Sequence, residues 1–336
     1  MKIKTKLRMK LIALPGETVV HRLAFYLAME EYVAKEMAGC GDCFFVWQSE
    51  PTVIVGRNQL IEAETDVDYC RSNGITLVRR KSGGGCVYSD MGNLMLSCIT
   101  DGDNVGFVFD RYLRRIALAL RKKGIAADVS GRNDITVGGR KVSGNAFQKL
   151  PGGRCIIHGT LLCGTDLERM QRVLTPSSAK LESNGVASVR KRVANLKELA
   201  GVTAGEMRRW MESEMCDSRM ELTAADVGRI EEIEKTYADP GFLYGKNPSS
   251  TVTKVIKTPH SGELCFKAVL KNGTIRRVAL SGDFFSTGDA AGELERALEG
   301  RAFDRESVGE ALRCFEMEKY ILNLTTNEFI ESLFKL

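Results

Sequence analysis

Residues 79–85 are the part of this sequence best suited to binding an anion. They read Arg-Arg-Lys-Ser-Gly-Gly-Gly. Three consecutive glycines let the backbone come close to a ligand, because no Cβ blocks the approach, and their amides can form an anion-binding concavity. The basic side chains before them supply positive charge, and an arginine can hold a phosphate through two parallel hydrogen bonds. The spacing alone also fits a tight hairpin turn with a solvated basic flank.

Two common phosphate-binding motifs do not fit this segment. No Gly-Lys-Ser/Thr follows the glycines, which excludes a Walker loop, and a strand-like run rather than a helix follows, which excludes a Rossmann fingerprint. A bound phosphate would therefore lack a helix dipole, and the basic side chains would matter more.

A second polar segment surrounds Lys141. Residues 131–134 read Gly-Arg-Asn-Asp, and residues 138–144 read Gly-Gly-Arg-Lys-Val-Ser-Gly. A lone lysine among alternating small and apolar residues usually points to solvent. Lys141 could also reach the cleft formed by the glycine run and balance carboxylate or phosphate charge there. Asp134 could orient this lysine or hold Mg²⁺, which prefers hard oxygen ligands.

Three further features leave their roles open. His158 begins the run His-Gly-Thr-Leu-Leu and is one of three histidines; it could be a core residue with satisfied hydrogen bonds or a pocket residue. Residues 188–196 form a basic stretch that opens a helix, and such a stretch can simply be a solvated helix face. Cys40 and Cys43 form a lone CxxC without a second pair, which favours an incidental loop over a zinc site.

The elements that would position these residues follow from the hydrophobic periodicity. An amphipathic helix is predicted over 105–122, with basic residues on its outer face and Gly124 beyond its end. A further helix is predicted at 22–38, and strands are predicted at 44–47, 52–55, 75–79, 85–88, 94–99, 135–137, 141–144 and 155–162, with a turn at 48–51. This succession predicts an α+β fold in which helices pack on a mixed or antiparallel sheet.

The composition changes near residue 240. Proline and glycine are frequent at 238–241 and 245–248, which indicates a linker. We therefore expect a catalytic domain over 1–240, a linker over 241–248 and a small α+β accessory domain over 249–336. In the latter, alternation at 264–270 and 275–280 around Asn272-Gly273 predicts a hairpin, followed by helices near 290–299, 305–316 and 326–335.

Composition and charge favour a cytoplasmic enzyme. The net charge of +5 from 48 basic and 43 acidic residues fits anion binding without demanding nucleic acid. The basic N-terminus contains only a short apolar run before Pro15, so it does not read as a signal peptide, and we expect no membrane span. The ten cysteines are expected to be free thiols, several of them buried.

The polar segments together resemble the lipoate-protein ligase A family of the biotin/lipoate ligase superfamily. Residues 79–88 with Asp90, Gly92 and Asn93 look like its glycine-rich signature. Residues 131–134 and 140–144 are similar to its second block, 158–162 to its third and 188–196 to its fourth. Ser89 departs from the pattern, because many members have histidine there.

The resemblance implies two half-reactions. The lipoate carboxylate attacks the α-phosphate of ATP to give lipoyl-AMP and pyrophosphate, and an acceptor lysine then takes the lipoyl group. ATP and Mg²⁺ act as co-substrate and activator, with no permanent cofactor. The implied acceptors are lipoyl domains of the E2 subunits of 2-oxoacid dehydrogenases and the glycine cleavage H protein. Lys141 is the implied catalytic residue, Asp134 a possible Mg²⁺ ligand, and Arg80, Val87, Lys141, His158 and Gly159 the lipoate site. The ATP site would comprise Arg80, Ser82, Gly83, Gly84, Gly85, Cys86, Val87, Tyr88, Asn93, Asn133 and Lys141.

Three other functions are considered. An octanoyltransferase shares the scaffold but uses a cysteine thiolate and no ATP, with Cys155 or Cys163 as the candidate nucleophile; the accessory domain argues against it. A biotin ligase would carry a Gly-Arg-Gly-Arg-type loop, which this sequence lacks. A non-catalytic module that binds lipoyl domains would have no use for Lys141.

Overall fold

The computed structural model describes residues 9–16, 20–174, 192–244, 251–258 and 260–335. Its strands are β1 (Met9–Ala13), β2 (Cys43–Trp47), β3 (Thr52–Val55), β4 (Thr76–Arg79), β5 (Val87–Ser89), β6 (Asn93–Asp101), β7 (Ala127–Ser130), β8 (Asp134–Val137), β9 (Arg140–Lys149), β10 (Arg154–Leu162), β11 (Cys216–Glu221), β12 (Val252–Thr258), β13 (Gly262–Lys271) and β14 (Thr274–Gly282). Its helices are α1 (Leu23–Glu36), α2 (Ile61–Glu64), α3 (Val67–Ser72), α4 (Val105–Lys122), α5 (Leu167–Val173), α6 (Leu196–Ala200), α7 (Ala204–Met215), α8 (Ala224–Tyr237), α9 (Pro240–Tyr244), α10 (Ala290–Leu298), α11 (Arg305–Ala311) and α12 (Thr326–Leu333). None of the helices in these ranges combines the length and apolar character needed to cross a membrane.

The main sheet has eight strands in the order β11-β1-β2-β6-β10-β9-β8-β7. Strands β11, β1 and β2 run parallel, and the pairs from β2 to β7 are antiparallel. Alternation along β10 sends Ile157 and Leu161 to the core that includes α4, and Ile156 to the core that includes α1. The predicted mixed sheet packed with helices is confirmed.

Helix α1 lies inside the catalytic part rather than on its surface. Nearly all of its residues are buried, from Leu23 to Ala34, as expected for a helix that is apolar around most of its circumference. Its buried residues include two carboxylates, Glu30 and Glu31. Because a buried charge is costly unless it is paired, both need partners inside the protein.

A second, three-stranded sheet has the order β4-β3-β5. The predicted turn at 48–51 therefore joins two strands that belong to different sheets. The loop between β4 and β5 carries the glycine run across the end of β3, where Arg80 N donates to Val55 O (2.9 Å) and Arg57 N donates to Ser82 O (2.9 Å). This crossing places the loop against the main sheet.

The C-terminal part contains the antiparallel sheet β12-β13-β14 and the helices α10 to α12. Asn272 and Gly273 have φ values of 53° and 74°, the left-handed pair that a two-residue hairpin turn requires. The predicted hairpin and the small α+β fold are confirmed, although α11 ends at Ala311 rather than near 316. Apolar residues of the sheet and helices form one core.

The C-terminal part is joined to the catalytic part through two adjacent phenylalanines. Phe284 belongs to the C-terminal core, whereas Phe285 belongs to the catalytic core. The Phe285 ring lies 5.3 Å from that of Phe147 and 5.9 Å from that of Phe109. The predicted linker begins in α9, whose Leu243 O accepts a hydrogen bond from Arg79 Nε (2.7 Å), and its residues 245–248 lie outside the described residues.

Candidate active site

A cleft of about 560 Å³ lies among α1, the small sheet and strands β9 and β10. The lining is mostly apolar along one stretch and polar at Lys141, Arg80 and His158. The lining residues are Leu27, Ile54, Arg80, Gly84, Gly85, Cys86, Val87, Met95, Asn133, Lys141, Gly144, Asn145, Ala146, His158, Gly159 and Thr160.

Nine residues predicted from the sequence line this cleft: Arg80, Gly84, Gly85, Cys86, Val87, Asn133, Lys141, His158 and Gly159. Five others lie behind or beside it. Ser82 and Asp134 contact lining residues. Gly83 contacts the C-terminal part, Tyr88 packs in the core of the small sheet, and Asn93 Nδ2 donates to Ser89 Oγ (3.1 Å). Ser89 is itself fully buried.

Lys141 is held at the edge of the cleft by the β8–β9 hairpin. Gly138 and Gly139, with φ values of 56° and 75°, form its two-residue turn. A bulge in β9 falls at Lys141 and Val142, opposite Thr136 of β8. Lys141 Nζ lies 2.7 Å from Asp134 Oδ1, and about a third of each side chain is exposed. Of the two roles considered for Asp134, the structure favours orienting the lysine. The pair is open enough for Lys141 to exchange this partner for a ligand.

Two members of the predicted basic run do not face the cleft. Arg79 Nη1 donates to the carbonyls of Gly56 (2.8 Å) and Gln59 (2.7 Å). Lys81 Nζ pairs with Glu31 Oε2 at 2.6 Å and lies over the Tyr237 ring. Protein partners therefore hold the side chains of Arg79 and Lys81, and Arg80 is the member of the basic run that lines the cleft.

Arg80 does reach the cleft, and it also holds the glycine loop in shape. Its Nη2 donates to Gly83 O (2.7 Å) and Gly85 O (2.8 Å). Burial lowers the pKa of Arg80 to about 10, which still leaves the guanidinium charged at neutral pH. The cleft therefore contains a fixed positive charge in addition to Lys141.

The glycines of the loop have divided roles. Gly84 has φ +86°, and a Cβ on it would lie 2.8 Å from Phe285 Cε1. Its N–H donates to Phe284 O (3.2 Å), so in this arrangement the C-terminal part uses that amide. Around Gly85 there is room, since the nearest atom to an added Cβ is 3.9 Å away. In this structure, the segment that comes close to the glycine loop is residues 283–285 of the same chain.

Arg132, in the second predicted block, ties the catalytic part to the C-terminal part. Its guanidinium donates to Ser261 O (2.5 Å) and Asp283 O (3.1 Å) and lies over the Phe285 ring at 4.9 Å. Asn133 beside it donates from Nδ2 to Asn145 O (2.8 Å). One short segment therefore contacts the other domain and lines the cleft.

His158 fits both roles that the sequence left open. It lines the cleft, and both ring nitrogens have partners. Nε2 lies 2.7 Å from Ser82 Oγ, and Nδ1 lies 2.7 Å from Glu30 Oε2. The sequence analysis missed Glu30, because a carboxylate inside an apolar helix carries no motif.

The apolar lining was predicted only in part. Val87 lines the cleft, whereas the neighbouring strand residues Val78 and Leu161 do not; Leu161 faces the α4 side of the sheet. Seven other lining residues were not predicted as site residues: Leu27, Ile54, Met95, Gly144, Asn145, Ala146 and Thr160. Gly144 and Thr160 lie within segments that the sequence marks as functional, whereas Leu27, Ile54, Met95 and Ala146 resemble ordinary core residues and carry no local signal.

The cysteines are poor candidates for a nucleophile. All ten are free, and several of them are buried, as expected. Cys155 and Cys163 are fully buried and away from the cleft; burial raises the pKa of both thiols, that of Cys163 to about 12. Cys86 lines the cleft, but burial raises its pKa to about 12 as well. A thiolate is therefore disfavoured at each of them.

Within the described ranges, no group of three or more His, Cys, Asp or Glu side chains could hold a metal ion. Cys40 Sγ lies 3.9 Å from Met220 Sδ, in keeping with an incidental CxxC. In the fourth predicted block, residues 188–191 lie outside the described residues. Beyond them, Ala194 N donates to Lys141 O (2.9 Å), which supports the strand that carries the lysine.

Comparison with known proteins matches both parts of the chain. Residues 22–215 match the family "Lipoyl protein ligase A/B catalytic domain", and residues 247–333 match "Bacterial lipoate protein ligase C-terminus". Lipoate–protein ligase 1 of Staphylococcus aureus is 37% identical and is covered over 94% of its length by 90% of this chain. Lipoate-protein ligase LplJ of Bacillus subtilis is 33% identical, and the match covers 92% of this chain and 96% of that protein.

Solved structures agree with these matches. Plasmodium falciparum LipL1 in complex with lipoate has the same fold, with a TM-score of 0.76 over 96% of this chain and 97% of that one, at 17% identity. The structure of a lipoate-protein ligase A bound with ATP matches with a TM-score of 0.60 at 25% identity. The match covers 71% of this chain and 99% of that one. With both parts matched by family and with relatives above 30% identity along most of its length, the chain belongs to the lipoate-protein ligase family.

Proposed function

We propose that the cleft forms lipoyl-AMP from lipoate and ATP, and that the lipoyl group then passes to a lysine of an acceptor protein. Lipoate-protein ligases are ATP-dependent ligases, and this chain is one of them. The observation that carries the proposed site is the position of Lys141. Its ammonium group stands at the edge of a partly apolar cleft, paired with a carboxylate that is about one-third exposed.

Charge balance assigns the first step to Lys141 and Arg80. A carboxylate that approaches a polyphosphate meets strong repulsion, and preorganised positive groups at the reacting atoms offset it. Lys141 is partly exposed and can move from Asp134 to the acyl and phosphate oxygens, whereas Arg80 is fixed by the loop carbonyls. Lys141 can therefore move to the oxygens on which negative charge develops, whereas Arg80 provides a positive charge at a fixed position.

The apolar side of the cleft is suited to the dithiolane and alkyl chain of lipoate. Leu27, Ile54, Val87 and Met95 contribute aliphatic and thioether surface. Burying a chain of this kind stabilises it by about 0.8 kcal/mol per methylene. Binding energy from this part of the substrate can place the carboxylate next to Lys141.

The residues present do not form a site for a resident Mg²⁺. Asp134 is the predicted ligand, but it pairs with Lys141, and it does not belong to a group of three or more His, Cys, Asp or Glu side chains, since the described residues contain no such group that could hold a metal ion. Mg²⁺ is commonly held by one or two carboxylates together with substrate phosphates. An ion that arrives with ATP would be held mainly by phosphate oxygens, and the assignments above do not depend on it.

The proposed acceptors are lipoyl domains, such as those of 2-oxoacid dehydrogenases and the glycine cleavage H protein. The support is indirect: an archaeal bi-partite lipoate protein ligase is known together with its E2 lipoyl domain, and its fold resembles this one with a TM-score of 0.61. A cytoplasmic location would suit such partners.

Pyrophosphate release separates this proposal from the alternatives. The protein is incubated with ATP and either lipoate, octanoate or biotin, and the acyl-AMP is identified by mass spectrometry. We expect pyrophosphate and lipoyl-AMP with lipoate. An octanoyltransferase would release none and would transfer octanoate from an acyl carrier, while a binding module would do neither; both results would contradict the proposal.

A further inference from the structure

A chain of buried polar side chains runs behind the cleft. Trp47 Nε1 donates to Ser97 Oγ (2.8 Å), and Ser97 Oγ donates to Glu30 Oε1 (2.5 Å). On the other side, Glu30 Oε2 lies 2.7 Å from His158 Nδ1, and His158 Nε2 lies 2.7 Å from Ser82 Oγ. All of these residues are at most 6% exposed, so water offers few alternative partners.

The direction of each hydrogen bond in this network follows from the donors at its two ends, Trp47 and Arg80. The indole N–H of Trp47 can only donate, and so can Arg80 Nε, which lies 3.0 Å from Ser82 Oγ. Each serine oxygen accepts from its donor, and its own proton goes to the next group. A serine oxygen can accept two hydrogen bonds, but among the described residues the Ser82 proton has its acceptor in His158 Nε2. The network therefore assigns Nε2 as the acceptor nitrogen and Nδ1–H as the donor to Glu30.

Both branches thus end on the two oxygens of one carboxylate. The buried Arg80 cation needs a counter-charge, and the attraction of Glu30 favours its charged form. Arg80 in turn fixes the carbonyls of Gly83 and Gly85 in the loop. Hydrogen bonds therefore link Glu30, which does not line the cleft, to the loop and the histidine that do.

We infer that Glu30 is a positioning residue of the adenylation site: it holds His158 as the Nδ1–H tautomer and, through Ser82 and Arg80, fixes the 83–85 loop. The effect on catalysis rests on the proposed function, whereas the tautomer does not. A glutamine at position 30 has one acceptor oxygen where the network needs two. Whichever way its amide turns, a buried donor on one branch loses its acceptor.

The tautomer can be measured in the unmodified protein. Long-range ¹H–¹⁵N correlation spectra distinguish a protonated ring nitrogen from an unprotonated one, and the chain has three histidines to assign. A His158→Asn spectrum identifies the signal to follow. We expect protonated Nδ1 and unprotonated Nε2. Protonation of Nε2, either as the other tautomer or as the imidazolium, would overturn the inference.

The positioning role is tested with Glu30→Gln against Glu31→Gln. Glu31 is the neighbouring buried carboxylate on the same helix, but it pairs with Lys35 and Lys81 rather than with His158. Leaving one buried donor unpaired predicts a fall of about 5- to 100-fold in kcat/KM for lipoyl-AMP formation in Glu30→Gln. Most of it should be in kcat, because the apolar lining is untouched.

Ser97→Ala provides a second variant if Glu30→Gln folds poorly, and it should lower the rate in the same way but less. Equal rates for the position-30 and position-31 variants, or an unchanged rate for a folded Ser97→Ala, would overturn the positioning role. Failure of the unmodified protein to form lipoyl-AMP would instead contradict the proposed function, while the tautomer measurement would stand on its own.

Discussion

Replacing Gly83 by alanine should weaken the contact between the two parts of the protein. An added Cβ would lie 2.4 Å from Phe284 O and 2.9 Å from Phe285 Cα. Both are backbone atoms, which cannot rotate away as a side chain can. To restore ordinary van der Waals contact at about 3.4 Å, residues 284–285 would have to retreat by about 1 Å. That shift would also move the Phe285 ring in the catalytic core.

The expected loss of stability follows from overpacking, which costs typically about 1–3 kcal/mol. With an unfolding entropy of about 2.1 cal/mol/K per residue over 336 residues, that corresponds to a fall of about 1–4 °C in the midpoint of thermal unfolding. Differential scanning calorimetry measures the fall, and protease cleavage after residue 240 should become faster in the variant.

Gly85→Ala is the matched control. It adds the same methyl group two residues away, but the nearest atom to that Cβ is Asp283 Cβ at 3.9 Å. Neither Gly83 nor Gly85 has a positive φ, so neither alanine variant should introduce backbone strain at the substituted position. We expect the control to unfold within about 1 °C of the unmodified protein. Equal midpoints for the two variants would refute the claim that Gly83 is required by the C-terminal part.

Further outcomes are expected at other sites. Cys155→Ser and Cys163→Ser should each retain most lipoylation activity, because adenylation needs no thiolate; a folded variant that binds ATP but transfers no acyl group would favour the octanoyltransferase. Arg132→Ala should lower the unfolding midpoint by several degrees, since it loses its bonds to Ser261 and Asp283; an unchanged midpoint would contradict this. Burial would raise the pKa of Glu31, but hydrogen bonds from two lysines outweigh it and lower the pKa below 4.5. Its contribution to stability is thus present above pH 4.5 and lost as the pH falls through the lowered pKa; denaturant titrations from pH 6 to pH 3 should show a shallower decline in Glu31→Gln, and parallel curves would contradict this.

The sequence predicted those features that depend on neighbours along the chain. Helix α4 has the predicted bounds of 105–122, since its apolar face and its ends are both encoded locally. Asn272-Gly273 forms the predicted turn because few other pairs accept two left-handed residues. Lys141, Arg80 and His158 were found because they stand within recognisable segments.

Features that depend on distant segments were not predicted. The turn at 48–51 has the same local character whether it joins two strands of one sheet or of two. The glycines at 83 and 84 suggested a phosphate cradle, but the atoms that require them are in residues 284–285, about 200 positions later. Glu30 was missed for the same reason, because its partners Ser97 and His158 come from β6 and β10.

The most direct test of the proposed site is the rate of lipoyl-AMP formation by Lys141→Ala, measured under single-turnover conditions beside Lys149→Ala. Lys149 lies on the same strand, but its Nζ donates to Asp103 O (2.9 Å) away from the cleft. Removing a charged group that acts on the transition state should slow the step by at least about 10²–10³-fold. We expect this loss for Lys141→Ala, with an unchanged unfolding midpoint, and a normal rate for Lys149→Ala. A folded Lys141→Ala protein that forms lipoyl-AMP at a near-normal rate would contradict the assignment of Lys141 and of the cleft around it.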